Sequence, residues 1–345
     1  RRALPLPLVI LYGLGVTIGA GIYVLLGATA GKAGVHAPIS FVIAAVVVAF
    51  SAASYGELAA RFPVSAGEAA YVREGLRSNR LAGLVGLMVV LSGIVSSATI
   101  TIGSVGYLRQ FVNLPETALI VLVVVGVTAV AAWGIVESVL FAGIFTVVEA
   151  GALIVIIGAG LNANPGLIFE LPNVLPDIGD TKAWAGVAAA GLLAFFAFIG
   201  FEDIVNLAEE VKEPERNLPR AIYVTLILSA LIYFMVASVA VLSVPVGDLA
   251  QSRAPLSLVF SHVSTLSPAT ISAIAVAATL NGVIIQIVMA SRVIYGLGRQ
   301  GTLPAVFARV HPWTRTPVIA TLVVAGAVMV LALTVPLHDL AAWTS

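Results

Sequence analysis

The sequence has no cysteine, which excludes disulfides, thiolate nucleophiles and cysteine-ligated metals. It is also poor in charge. Only 10% of its 345 residues are charged against 60% hydrophobic, a balance that a water-soluble domain of this size does not show. Alternating ten-residue segments are missing, which excludes a transmembrane β-barrel. The four histidines, His36, His262, His311 and His338, are scattered without ligand spacing, so no metal and no cofactor are expected. Neither a nucleophile paired with a base nor a His-Glu-x-x-His run is present, and an enzyme is not expected. Net charge is zero and points to no partner; no nucleic acid is expected.

What is there is a series of charge-free apolar runs. Among them are Ala3 to Gly31, Ala33 to Gly56, Leu81 to Leu108, Ala183 to Phe201, Ala221 to Gly247 and Thr316 to His338. Each is close to or above the roughly 20 residues that cross a bilayer as a helix. With Thr117 to Val136, Ser138 to Phe169 and the part of Ala254 to Ser291 after Pro268, nine spans are expected. The first run exceeds a signal-peptide core of about 7 to 15 residues, so it is expected to stay as span 1. With a cytoplasmic N-terminus, thirteen basic residues fall in inner segments and four, Lys32, Arg109, Lys182 and Arg253, in outer ones, as the positive-inside rule requires. Beginning on Arg and ending just after Trp343, the chain reads as trimmed at both ends, with further C-terminal spans expected.

Two spans look interrupted. "GVTIGAGIYV" (15–24) packs three glycines into span 1, and in span 6 Gly200 is followed at once by Phe201 and the acids Glu202 and Asp203. An unwound segment inside a bilayer survives only where it lines a cavity, and a pair of such breaks at corresponding places marks a secondary transporter's binding site. A break in span 1 would aim the free N–H groups of Ala20, Gly21 and Ile22 at an anion. Carbonyls near Thr17 and Ile18, and from Phe196 to Ile199, would then face a cation. An α-amino acid is the simplest ligand with both charges. Gly15 and Gly19, and Gly27 and Gly31, also fit the small-xxx-small packing pattern, but for Gly19 and Gly21 the break is the preferred reading.

Four blocks carry a resemblance. "GVTIGAGIYVLLGATAGKAG", "YGELAARFPVSAGEAAYVREG", "FFAFIGFEDIVNLAEEVKEPERNLPRAI" and "SRVIYGLGRQGTLPAVFARVHPWTRTPVIA" resemble, in order, parts of the amino acid-polyamine-organocation (APC) transporter superfamily, the third being similar to its cationic amino acid transporter branch. The resemblance implies an all-α membrane protein with a five-plus-five inverted-repeat (LeuT-like) fold and broken spans 1 and 6. Residues 1–160 would form the first repeat, 161–183 an extracellular loop and 184–345 an incomplete second repeat. It further implies alternating access, with Ala20, Gly21 and Ile22 on the substrate carboxylate and the carbonyls of Thr17, Phe196 and Ile199 on its ammonium. Phe196 or Phe198 would close an outer gate. Ile18, Gly19, Gly200 and Asn281 complete the expected substrate site.

Glu149 stands alone in span 5, where an ionised carboxylate costs about 2.5 to 3.5 kcal/mol on insertion scales, so it should meet a partner or a cavity, or hold a proton. Many sodium-independent relatives look to have a lysine at the matching place, and the charge is reversed here. Glu149 and Glu202 are the candidates for coupling and gating, although an acid after a helix break also caps it. Ser96, Ser97, Thr99 and Gln286 are weaker cavity candidates. The expected partners are an amino acid substrate, a co-transported proton in preference to sodium, and the lipid of a plasma (inner) membrane. An amino acid/polyamine exchanger and a sensor on the same scaffold are the alternatives.

Overall fold

The computed structural model describes residues 4–336, apart from 65, 66, 134, 253, 266 and 315, together with Leu340 and Trp343. The main helices are α1 (Leu6–Ala33), α2 (Ala37–Arg61), α3 (Gly67–Leu76), α4 (Asn79–Leu108), α5 (Glu116–Trp133), α6 (Ile135–Ala163) and the short α7 (Leu167–Glu170). They are followed by α8 (Thr181–Phe196), α9 (Pro214–Ser243), α10 (Val246–Gln251), α11 (Pro255–Val263), α12 (Pro268–Arg299) and α13 (Val318–Thr334). Among the described residues, eight stretches are long and apolar enough to cross a membrane, on α1, α2, α4, α5, α6, α8 with the turn after it, α9 and α12. The apolar α13 is shorter, at 17 residues. Charge-free runs became helices because hydrocarbon leaves the backbone no other partner for its N–H and C=O groups.

The buried apolar side chains fall into two clusters. One joins α1, α2, α8, α9, α10 and α11 with part of α6, through residues such as Ile22, Phe41, Leu153, Phe198, Tyr233, Leu249 and Phe260. The other joins α4, α5, α12 and α13 through Val90, Ile94, Val123, Ile287, Val293 and Val324. Only α12 feeds both heavily, with Ile271, Ala275 and Ala278 in the first and Ile287 to Leu297 in the second. Polar contacts cross the seam. Gln286 Nε2 donates to Asp203 Oδ2 at 2.8 Å, and Arg292 to both Glu210 oxygens at 3.1 and 3.3 Å; within the first cluster, Tyr107 Oη of α4 donates to the Tyr23 carbonyl of α1 at 3.2 Å. On the same side as this ion pair, Leu4 pairs with the segment after span 6 through Leu4 N–H to Glu210 O and Lys212 N–H to Leu4 O, each 2.9 Å.

One expected break is present and the other is not. α8 stops at Phe196, Gly200 takes a positive φ of 116°, and a 3₁₀ turn runs over Phe201–Leu207. Only glycine adopts such a backbone without strain. α1, by contrast, is helical without interruption from Leu6 to Ala33, which corrects the reading of a broken span 1. Gly21, Gly27 and Gly31 serve contact. A Cβ on Gly21 would lie 2.5 Å from the Ala197 Cα, one on Gly27 2.6 Å from the Leu249 carbonyl oxygen, and one on Gly31 3.1 Å from Ala250 Cβ. Backbones that close need a residue with no side chain. The 28 residues of α1 therefore keep their own ladder while α8, α10 and α11 pack against it.

Candidate functional site

Three cavities follow one another along a single face of α12. The innermost, about 30 Å³, is lined by Val16, Thr17 and Gly21 of α1, Ser96 and Ile100 of α4, Phe196 and Ile199 at the span 6 break, and Gly282 and Gln286 of α12. The next, about 90 Å³, shares Ser96, Ile199 and Gln286 with it and adds Tyr55, Glu68, Glu202 and Asp203 among others. A vestibule of about 740 Å³ then opens between Arg61, Arg73, Glu210, Arg292 and Arg299. Helical periodicity puts Gly282, Gln286, Met289, Arg292 and Gly296 on one stripe of α12, which explains the file. The central and middle cavities share Ser96, Ile199 and Gln286, and the vestibule borders the same stripe of α12 farther along, at Arg292 and Gly296.

The break in span 6 builds the floor of the central cavity. Gly200 donates its N–H to Glu202 Oε2 at 2.8 Å, so the acid closes the turn as a capping group does. The Phe196 carbonyl accepts the Ile199 N–H at 3.1 Å, and the Ala197 carbonyl accepts Tyr233 Oη at 2.9 Å. The Thr17 carbonyl lies within reach of the same hydroxyl, whose single proton is shared between α1 and the break. Thr17, Gly21, Phe196 and Ile199 do line the cavity. Ile18, Ile22 and Phe198 do not: all three are fully buried in the apolar cluster, with the Phe198 ring 5.0 Å from that of Tyr233. The N–H groups of Ala20, Gly21 and Ile22, and Gly19 beside them, lie within the uninterrupted helix rather than at an open helix start. That removes the anion cradle the sequence suggested there.

Glu149 is fully buried on α6. Its Oε1 accepts Asn281 Nδ2 of α12 at 3.2 Å, so two residues 132 positions apart, singled out separately, are partners. Glu149 Oε2 and Asn281 Oδ1 are buried without a hydrogen-bond partner among the described residues. Two acceptors and no donor is a costly arrangement in a dry interior. Gly15 of α1 closes the site, since a Cβ there would meet Thr146 Oγ1 and approach Asn281 Nδ2 at 3.2 Å. Neither Glu149 nor Asn281 lines the central cavity.

Sequence reasoning passed over Glu68, Tyr55 and Tyr233. Glu68 lies on α3, outside the spans, yet it is buried. Burial pushes its carboxyl up from 4.5 to about 7, with Glu202 nearby adding to the rise. Of the weaker candidates, Ser96 and Gln286 line two cavities, while Thr99 only donates to the Val95 carbonyl at 2.8 Å. Ser97 is fully buried away from them. Among the described residues, no three His, Asp or Glu are grouped so as to hold a metal ion.

Comparisons with known proteins agree with this architecture. The chain is 31% identical over 367 residues to "Cationic amino acid transporter 3, mitochondrial" of Arabidopsis thaliana, covering 100% of this chain and 59% of that one. It is 29% identical over 359 residues to "Branched-chain amino acid permease BcaP" of Bacillus subtilis, covering 96% and 74%. The chain spans 55–59% of the length of the plant relatives it matches. A solved structure of a Na⁺-coupled sialic acid symporter superposes with a TM-score of 0.63 at 14% identity, over 97% of this chain and 75% of that one, and shows the LeuT-like transporter fold. Residues 8–344 match the family described as "Amino acid permease". From its first span to its last described residue, the chain belongs to this family of multi-pass membrane transporters, which are permeases and not enzymes.

Proposed function

We propose that the chain is a secondary active transporter of an α-amino acid, working by alternating access and coupled to protons. The observation that carries this reading is the placing of the cavities: the central cavity sits where α1, the span 6 break, α4 and α12 meet and adjoins the middle cavity through Ser96, Ile199 and Gln286, while the vestibule lies farther along the same face of α12. Two apolar clusters that share little but α12 suit a movement of one against the other, across which the Arg292–Glu210 pair and the Gln286–Asp203 bond reach. The vestibule is rimmed by arginines, so the positive-inside rule assigns it to the cytoplasm and the N-terminus with it, in a plasma (inner) membrane. The repeats are read as residues 1–160 and 184–345.

With α1 unbroken, substrate contacts are assigned to Thr17, Gly21, Phe196 and Ile199 together with the polar side chains of Ser96 and Gln286. Glu149 with Asn281 is the coupling site. The pair lacks one donor, a proton supplies it, and each charge moved gains about 2.3 kcal/mol per 100 mV of membrane potential. Purified protein in vesicles, offered labelled amino acids under imposed proton or sodium gradients, tests the reading. A proton gradient should drive accumulation, and Glu149→Gln should remove the pH dependence of uptake. Uptake by that variant that still follows pH as the parent does rules the coupling role out.

A further inference from the structure

The ten residues of α3 lie outside the spans, and each side of this short helix meets something different. At about 100° per residue, Ala70, Arg73 and Glu74 fall on the face opposite Glu68. Glu68 lines the middle cavity, and the three opposite residues line the vestibule. The flanks divide in the same way. On one, Tyr71 belongs to the first apolar cluster with its ring 6.4 Å from that of Tyr55, and a Cβ on Gly67 would lie 2.7 Å from Val205 Cγ2. On the other, Ala69 is buried in the second cluster. Arg73 also bonds Gln300, just past the end of α12. The helix therefore stands as a wall between the middle cavity and the vestibule, set across the seam of the two clusters.

The acid sits on the inner side of this wall. Around Glu68 stand Glu202 and Asp203 from below the break, Tyr55 of α2 and Tyr71 of its own helix, and among the described residues no basic side chain lines the cavity. Tyr12 of α1 is the further titratable neighbour of Asp203. The Gly200 N–H and Gln286 occupy Glu202 Oε2 and Asp203 Oδ2, and Glu68 takes a bond from its own N–H. Two hydroxyls are left over, independently of the acids. Ser96, 8% exposed, faces the cavity and makes no hydrogen bond within the described structure, and Tyr71 Oη is buried without a partner among the described residues. Three carboxyl groups withdrawn from water with no counter-charge are costly. A proton among them lowers that cost.

We propose that Glu68 is an inner proton site, apart from Glu149 and Asn281, and that its proton keeps α3 closed as the wall between the middle cavity and the vestibule. When the proton leaves to the water of the vestibule, the ionised carboxylate faces Glu202 and Asp203, and their repulsion turns α3 outward and joins the two cavities. The proposal rests on reading the vestibule as the cytoplasmic side. Burial raises the Glu68 carboxyl to about 7, with Glu202 adding to the rise, so the change falls near neutral pH. Because α3 holds to both clusters, their movement against each other acts on the same wall.

The chain has no cysteine, so a single introduced thiol reports without background. Met289→Cys places one on the lining of the middle cavity and Val310→Cys one in the vestibule. Inside-out vesicles carrying the whole chain are treated with a charged, membrane-impermeant thiol reagent, and the rate at position 289 is divided by the rate at 310 to remove the ordinary pH dependence of a thiol. From about pH 5 to about pH 8 this ratio should rise about tenfold as Glu68 ionises. Glu68→Gln should hold it at the low value, and Glu68→Asp should keep the rise. A ratio that does not change with pH in the chain with native Glu68 overturns the proposal, however the variants fold. A rise that persists unaltered in Glu68→Gln belongs to the buried thiol and overturns it as well. No amino acid is added, so the result is separate from transport. If Val310→Cys reacts only in right-side-out vesicles, the side assigned to the vestibule is wrong, and the same ratio read from that side still decides whether α3 is the wall.

Discussion

α1 and the broken span 6 cross at one point, and each brings a glycine to it. On the α1 side Gly21 sits in regular helix, where a Cβ would lie 2.5 Å from Ala197 Cα and 2.9 Å from its carbonyl oxygen. On the other side Gly200 has a φ of 116° that a side chain resists, and it also lies against Val16 of α1. The first glycine is a matter of space and the second of backbone conformation. The comparison teaches that a glycine in a membrane helix marks closeness as readily as it marks a break. Here the close approach of α1 is what holds the broken segment in place.

Substitutions at the two positions separate these roles. Gly21→Val drives three carbons toward a neighbouring backbone that has no soft side chain to yield. A cost of about 3 kcal/mol, at the upper end for overpacking, is expected. Uptake should be lost while the protein still reaches the membrane; binding at the parent's affinity would contradict the contact. Gly200→Ala adds one methyl in a strained conformation, expected to cost about 1 to 3 kcal/mol, and Val16 can move aside. A lowered thermal midpoint with partial uptake is the expected result, and an unchanged midpoint would mean that the positive φ is not held in the protein. Tyr233→Phe removes the hydroxyl shared between the Thr17 and Ala197 carbonyls without changing shape. A loss of about 1 kcal/mol is expected, and combined with Gly21→Ala it should be less than additive if both act on the same crossing.

How much of this was legible follows from the physics of each residue. The spans were readable because a charge-free run of some 20 residues has few other fates. The break at Gly200 was readable because the glycine is followed within two residues by acids that cap the new turn, a bond now seen from Gly200 N–H to Glu202. The continuity of α1 was not readable, since small residues look the same in sequence whether they unwind a helix or let another approach; only the position of Ala197 distinguishes the two. Glu149 and Asn281 were each conspicuous for polarity inside an apolar span, yet their pairing across 132 residues is a tertiary fact. Glu68 carried no signal because an acid in a polar loop is ordinarily solvated. Its burial comes from the way α3 packs beside α4 and the residues below the break.

That burial gives an effect read through pH, and it extends the comparison to the acids on the two sides of the crossing. Glu149, beside the unbroken α1, has Asn281 as a donor; Glu68, below the break, has Glu202 for a neighbour and a carboxyl raised from 4.5 to about 7, chiefly by burial. In the window between those values the folded protein keeps a proton that the unfolded chain has released. Unfolding then releases protons, so stability must fall as pH rises. The contribution is whole below about 4.5 and is lost as pH passes about 7. Glu68→Gln, which cannot ionise, should flatten the decline of the thermal midpoint in detergent across this window and should match the parent best at its acid end. A decline of the same slope in the variant would mean that Glu68 is not the group that holds this proton in the folded protein.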